Sequence, residues 1–369
     1  MSPRLTPLVA ALPATVPFVG PETQERARGR AFDARLGANE SVFGPSPAAH
    51  DAMVRTAAEV WKYGDPENHD LRAALALHHA IAPAHIAIGE GIDALLGYLV
   101  RMTVGPGDAV VTSDGAYPTF NFHVAGYGGT LHRVPYADDR QDALALVTRA
   151  HETGAKLIYL ANPDNPMGGF HDVETIAAMI EALPEQTLLI LDEAYGDCAP
   201  PRAIPPLAPE DTRVIRMRTF SKAYGMAGAR IGYAIGDAAL IAAFDRVRNH
   251  FGVNRIAQAG ALAALGDQSY LADTVARIAR ARERIAGIAA DNGLRALPSA
   301  TNFVTIDAGR DGAFARALLA ALLERGIFVR MPAVAPLDRC IRVSCGNDAD
   351  LDRFAAILPQ ALAAVRDTP

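Results

Sequence analysis

Between residues 85 and 236 the chain carries seven short apolar runs: HIAI (85–88), AVVT (109–112), TLHRV (130–134), KLIYLA (156–161), TLLILD (187–192), RVIRM (213–217) and RIGYAIG (230–236). Each has strand length, and several are apolar at consecutive rather than alternate positions, so both faces of those strands need cover. Helical spacing in GIDALLGYLVRM and DVETIAAMIEAL between the runs, and in SPAAHDAMVRTAAEVW and HDLRAALALHHA ahead of them, supplies it. Ser46 followed by Pro47 reads as an N-cap with proline in the first helical turn. The pattern predicts an α/β domain built on a mostly parallel seven-stranded sheet between helices.

Beyond residue 255 the texture changes. Two long helices rich in Ala, Arg and Ile are expected over 255–293. They precede NFVTID, a helix in GAFARALLAALLERG, IFVR, CIRVS and a last helix over 348–366, the makings of a smaller α+β domain. The expected division is an N-terminal arm and part of the small domain over 1–34, a large domain over 35–248 and a small domain over 249–369. The prolines at 3, 7, 13 and 17 break the mildly apolar N-terminus, which leaves neither a signal-peptide core nor a spanning helix. A net charge of -6 without a basic stripe argues against nucleic acid. Three cysteines without a CxxC give no disulfide framework or zinc site, and the expected compartment is the cytoplasm.

In an open α/β sheet, ligands bind beyond the carboxyl ends of the strands. Polar residues interrupt the apolar pattern there: Gly89 to Asp93, Gly115 to Tyr117, Asn162 to Gly168, Asp192 to Tyr195, and Ser221 with Lys222. Of 35 basic residues only Lys62, Lys156 and Lys222 are lysines, and Lys222 lies just past a strand in a segment rich in Ala, Gly and Met. Arginine stays protonated, whereas a desolvated lysine amine can lose its proton and form a Schiff base. A reactive role for Lys222 therefore outweighs the ordinary surface lysine. Asp192 closes an apolar strand, and a buried carboxylate there needs a partner. Glu193 points to the opposite face and no histidine stands at metal-ligand spacing, so a cationic partner is expected and a metal is not. NPDNPMG (162–168) alone reads as a plain proline turn. GEGID (89–93) is a glycine-bearing strand-to-helix turn whose free N–H groups suit a phosphate.

In this order and spacing, LGANESVFGPSP (36–47), YGDPENHDLR (63–72), NPDNPMG, LDEAYGD, TFSKAYGMAGARIGY (219–233) and CIRVSCGN (340–347) resemble the fold-type I pyridoxal-phosphate enzymes. These are the class I/II aminotransferases, and the nearest resemblance is to the histidinol-phosphate aminotransferase group. The resemblance implies a PLP-dependent homodimer acting on an amino donor and a 2-oxo acid acceptor. It assigns the Schiff base and proton transfer to Lys222, the pyridinium nitrogen to Asp192, the ring 3-oxygen to Asn165 and Tyr195, and the ring face to Tyr117. Ser221, Arg230 and the backbone of Glu90 and Gly91 would hold the cofactor phosphate, with Tyr63 reaching the site of a neighbouring subunit. Arg342 would bind the substrate carboxylate and Arg330 the substrate phosphate, with Asn39 and Phe18 also facing substrate.

The chain departs from the group's pattern at Asp164 and Met167 in the turn, at Ile92 in the phosphate loop and at Phe18, where a tyrosine is common. Fewer hydroxyls then face a substrate phosphate, and a bulkier apolar donor gains ground, with Phe18, Phe120, Phe122 and Met331 as walls. Two alternatives use the same motifs: a PLP decarboxylase of a phosphorylated amino acid, and a non-catalytic PLP-binding module. A nucleotide loop is excluded for want of GxGxxG or GxxxxGK[ST].

Overall fold

The computed structural model describes residues 4–13 and 19–366. Its first strand, β1 (Ala34–Arg35), lies outside the large sheet. The seven apolar runs become β2 (Ile86–Gly89), β3 (Ala109–Ser113), β4 (Thr130–Val134), β5 (Leu157–Ala161), β6 (Leu188–Asp192), β7 (Val214–Thr219) and β8 (Gly232–Ile235). They form one sheet in the order β2-β8-β7-β6-β5-β3-β4. Strands β3 to β7 are parallel, and β8 runs antiparallel to both of its neighbours.

Continuous apolarity has the expected cause. On β5, Leu157, Tyr159 and Ala161 join the core on one face, while Ile158 and Leu160 join the core on the other. A strand sends successive side chains to opposite faces, so two covered faces demand two apolar sets. Helices Ile92–Thr103 and Pro118–Gly126 supply one cover, and Ala143–Thr153 with Val173–Glu181 the other. A third cluster packs helices Pro47–Ala57, His69–His79 and Arg255–Gly266 against β2 and β8. Ser46 caps the first of these by accepting from the Ala49 amide at 3.1 Å, with Pro47 in the first turn.

The C-terminal segment builds a separate core. Strands β9 (Arg295–Ala296), β10 (Phe303–Asp307) and β12 (Cys340–Ser344) form an antiparallel sheet in the order β12-β10-β9. Helices Gln268–Asp291, Gly312–Glu324 and Asp348–Arg366 cover it. Strand β1 pairs in parallel with β11 (Ile327–Phe328), which carries Ala34 and Leu36 into this second core. Arg330 bridges backbone to backbone with Arg342, placing two arginines from different segments side by side. All three cysteines are buried and free. No helix among the described residues is long and apolar enough to cross a membrane.

Candidate active site

The carboxyl ends of the central strands open onto a cavity of about 670 Å³, whose walls come from both cores. Of the residues expected from sequence, Asn39, Tyr117, Asn165, Asp192, Tyr195, Ser221, Lys222, Arg230, Arg330 and Arg342 line it.

Lys222 follows β7 and reaches the backbone oxygen of Asn39, to which its Nζ donates at 3.1 Å. Burial lowers its ammonium to about 8, and the charge of Arg342 pushes the same way, partly opposed by Asp93 and Glu40. Asp192, at the end of β6, is buried and accepts from the Tyr159 hydroxyl at 2.5 Å and the Ala194 amide at 2.9 Å. Burial outweighs both donors and raises its carboxyl to about 6. Among the described residues Asp192 makes no ion pair with a side chain, because the nearby arginines belong to Glu193 on the opposite face. A carboxylate on a cavity wall with no protein cation fits a ligand that brings its own, such as a protonated ring nitrogen. Tyr159, which orients it, was hidden in the sequence as one more large residue of an apolar strand. Its ring stacks on Phe120 with centroids 4.7 Å apart.

The remaining polar groups are tied to one another. Tyr195 accepts from Asn39 Nδ2 at 3.0 Å, and the Asn39 carboxamide oxygen in turn accepts from Ser344 at 3.0 Å, so residues of both cores fix this corner. Arg342 donates to Asn165 Oδ1 at 2.5 Å and to the Gly37 oxygen at 3.2 Å, and its Nε has no partner among the described residues. Burial lowers the Arg342 guanidinium to about 10. Arg330 donates to the Val19 oxygen at 2.7 Å.

On the phosphate side, Tyr117 donates to Asp93 Oδ1 at 2.7 Å, and Arg230 lies 3.7 Å from Asp93 Oδ2. Gly91 has φ +84°, a left-handed conformation that favours glycine, and a Cβ there would also press on the end of the Arg230 side chain, 2.7 Å from its Nη2. Gly91 and Glu90 do not themselves line the cavity. The Gly91 amide donates to the Gly89 oxygen, and the Glu90 carboxylate accepts from Tyr98, leaving Ile92 and Asp93 at the wall. Tyr63 is exposed and packs on Phe251 away from the cavity. Phe18 lies outside the described residues. Among the described residues, Met331 is the one proposed apolar wall that lines the cavity: Phe120 is core beneath the sheet surface and Phe122 faces solvent, since helix Pro118–Gly126 turns them away. Sequence reasoning also passed over Arg133 and Asn121, which line the cavity too.

Comparison with known proteins agrees with this geometry. The aminotransferase class I and II family matches residues 34–358. Histidinol-phosphate aminotransferase 1 of Mesorhizobium japonicum is 35% identical over 336 residues, 89% of this chain and 90% of that protein. The histidinol-phosphate aminotransferase of an Anaeromyxobacter species is 33% identical over 366 residues, covering 98% and 100%. The crystal structure of histidinol-phosphate aminotransferase from Sinorhizobium meliloti in complex with pyridoxal 5′-phosphate superposes with a TM-score of 0.96 at 54% identity, over 99% of both chains. With a lysine and an aspartate lining one cavity at the carboxyl ends of the sheet, and relatives that span nearly its whole length, the chain belongs to the class I and II aminotransferases.

Proposed function

We propose that the cavity holds pyridoxal 5′-phosphate and transfers an amino group between an amino donor and a 2-oxo acid. The observation that carries this is that one cavity wall presents both a part-buried amine, Lys222, and a buried carboxylate with no ion pair to a side chain, Asp192. When bound, the cofactor supplies an aldehyde carbon and an electron-withdrawing ring that stabilises negative charge on the donor Cα. Lys222 would hold the cofactor at that carbon through its neutral amine, with the aldehyde oxygen released as water, and once displaced by the donor amine it would carry the proton lost from the donor Cα. Asp192, oriented by Tyr159 and the Ala194 amide, keeps a proton on the ring nitrogen. Tyr195 and Asn165 are assigned to the ring 3-oxygen and Tyr117 to the ring face. Ser221, Arg230 and the free amides opening helix Ile92–Thr103 are assigned to the cofactor phosphate.

Arg342 is assigned to the carboxylate of an amino or oxo acid, and Arg330 to a substrate phosphate. The names of the relatives suggest L-histidinol phosphate as donor. It has no carboxylate, so its phosphate falls to the same arginine pair. The same reading makes the two cores a large and a small domain, pairs two copies so that Tyr63 of each reaches the other's site, and places the protein, with its buried thiols, in the cytoplasm.

The test is amino transfer by the purified holoenzyme from L-histidinol phosphate and from a panel of L-amino acids to 2-oxoglutarate, followed by glutamate formation and by the visible absorbance of the bound cofactor. Glutamate formed in step with donor consumption is the expected result. Carbon dioxide released without glutamate would overturn the reading.

A further inference from the structure

The turn that follows β5 carries two of the chain's departures from its group, Asp164 and Met167, on either side of Asn165. Asp164 is buried, and three neutral donors converge on its carboxylate. Its Oδ1 accepts from the Tyr136 hydroxyl at 2.9 Å and from Gln141 Nε2 at 2.8 Å, while Oδ2 accepts from the Met167 amide at 3.1 Å. Gln141 is itself fixed, donating to the Ala161 oxygen and accepting from Ser113. On its far side the turn meets the second core. Thr305 donates to the Pro166 oxygen at 2.6 Å, and the Met167 side chain packs with Leu297, Leu337 and Cys340. Between these two anchors Asn165 stands at the cavity wall and accepts from Arg342.

An amide has one acceptor oxygen, so an asparagine here could serve either the Tyr136 and Gln141 donors or the Met167 amide, and would turn its own N–H groups on the other. An ionised carboxylate accepts from both sides. That arrangement has a cost: burial raises the Asp164 carboxyl from 3.8 to about 7, against the pull of its three donors and the charge of Arg342. The folded chain therefore binds more protons than the unfolded chain between those values, and Asp164 withdraws stability as pH rises through them. The competing role is a staple that only keeps the turn folded, and a group that withdraws stability near neutral pH is poorly suited to it. The other titratable groups around Asp164 hold their charge state near neutrality. Burial keeps the Tyr136 and Tyr159 phenols well above their ordinary range and the Cys340 thiol up at about 12, and Arg342 stays charged. His171, with its ring nitrogen 2.7 Å from the Gln141 oxygen, is held by burial below its ordinary value. Asp114 lies beside Tyr136 and Arg140 beside His171, and Asp192, at about 6, titrates nearest to Asp164 in pH.

We propose that Asp164 is a positioning residue for Asn165: its ionised carboxylate gathers Tyr136, Gln141 and the Met167 amide, and so fixes the turn that holds the Asn165 carboxamide at the cavity wall. With Oδ1 turned to Arg342, the Asn165 Nδ2 is the group left to donate to a ring oxygen. Protonation of Asp164 frees the Met167 amide and loosens the turn. This rests on the cavity being the pyridoxal-phosphate site.

The experiment measures the Kd of the full cofactor-free chain for pyridoxamine 5′-phosphate and for its 3-deoxy analogue, which lacks the ring oxygen, from about pH 6 to about pH 8. Neither probe carries an aldehyde, so Lys222 forms no bond with them and the reading is independent of turnover. The ratio of the two Kd values reports the ring-oxygen contact alone. In the wild type the preference for the probe with the oxygen should rise about 3- to 10-fold as pH rises through about 7. In Asp164→Asn that preference should be lower and level across the range, because the amide cannot also accept from Met167. Asp192 and Lys222 are common to both proteins and cancel in the comparison. Tyr136→Phe removes one donor from the carboxylate, so the wild-type step should persist and move to higher pH. That second variant tests the assignment even where Asp164→Asn does not fold. A preference that falls as pH rises would mean that the Asp164 charge acts directly on the ring oxygen, and overturns positioning. So does a step that survives in Asp164→Asn, a midpoint unmoved in Tyr136→Phe, or an equal loss of both probes, which a structural staple would give. A wild type that binds neither probe overturns the cofactor reading itself.

Discussion

At the scale of single residues, the site depends on two groups held away from their ordinary protonation. With its ammonium lowered to about 8, roughly a quarter of the Lys222 amine is neutral at pH 7.5, against about one part in a thousand for an unperturbed lysine. In the cofactor-free chain, the rate at which Lys222 captures pyridoxal phosphate should rise with pH and level off above about 8, followed by stopped-flow absorbance. Arg342 contributes to the lowering, so Arg342→Ala should shift that midpoint upward; an unmoved midpoint would remove Arg342 from the account. Lys222→Arg should fold and transfer no amino groups, because a guanidinium stays protonated. Asp192 runs the other way. Its carboxyl is raised from 3.8 to about 6 in the folded chain, which therefore binds more protons than the unfolded chain between those values. Asp192 should therefore withdraw on the order of 3 kcal/mol of stability from the cofactor-free protein as pH rises through that window, and Asp192→Asn should flatten the slope in denaturant titrations without abolishing it, because the buried Asp164 carboxyl is raised to about 7 and titrates across the same range.

At the scale of elements, the same strand end that presents Asp192 to the cavity presents Glu193 to the opposite face. There it accepts from Arg216 Nη2 at 2.5 Å and Arg218 Nε at 2.9 Å with its side chain wholly buried. Both arginines come from β7, so this clamp ties β6 to the strand that leads to Lys222. Glu193→Ala should cost about 3–5 kcal/mol in unfolding free energy, since it strands two arginine charges in the interior. A change below about 1 kcal/mol would mean that water reaches the pair. Local patterns of this kind explain what the sequence could reveal. The central strands announced themselves because burial on both faces leaves continuous apolar runs, the edge strand β4 only by its length and place between helices, and the Ser46 cap because its chemistry is local. Tyr159 looked like more of the same run, and only the third dimension shows its hydroxyl on Asp192. The cationic partner expected for Asp192 is not another side chain among the described residues, and no local pattern could tell a side chain from a ligand there. The backbone bridge between Arg330 and Arg342, and the pairing of β1 with β11, join segments apart in the chain, and no local period encodes them.

At the scale of the whole molecule, the cavity closes only where two cores meet. Asn39 bonds to Ser344 of one core and Tyr195 of the other, which joins the two at the point where Lys222 also rests. The outer surface carries its own signal. Trp61 is 79% and Tyr63 76% exposed, with Val54, Val60 and Phe251 also exposed. An apolar aromatic patch of this kind usually marks a surface of association. Tyr63 sits on it, in the segment that the family resemblance assigns to a neighbouring subunit's phosphate site. The patch should therefore be the contact between two copies of the chain, and sedimentation equilibrium should find a dimer. Trp61→Glu would place a charge in that contact and should shift the protein to monomer. Tyr63→Phe keeps the apolar area and removes one hydroxyl, so it should leave the dimer intact and weaken cofactor retention on dialysis. If Trp61→Glu remains dimeric, the patch is not the interface. If Tyr63→Phe retains cofactor as the wild type does, the partner's tyrosine takes no part in the site.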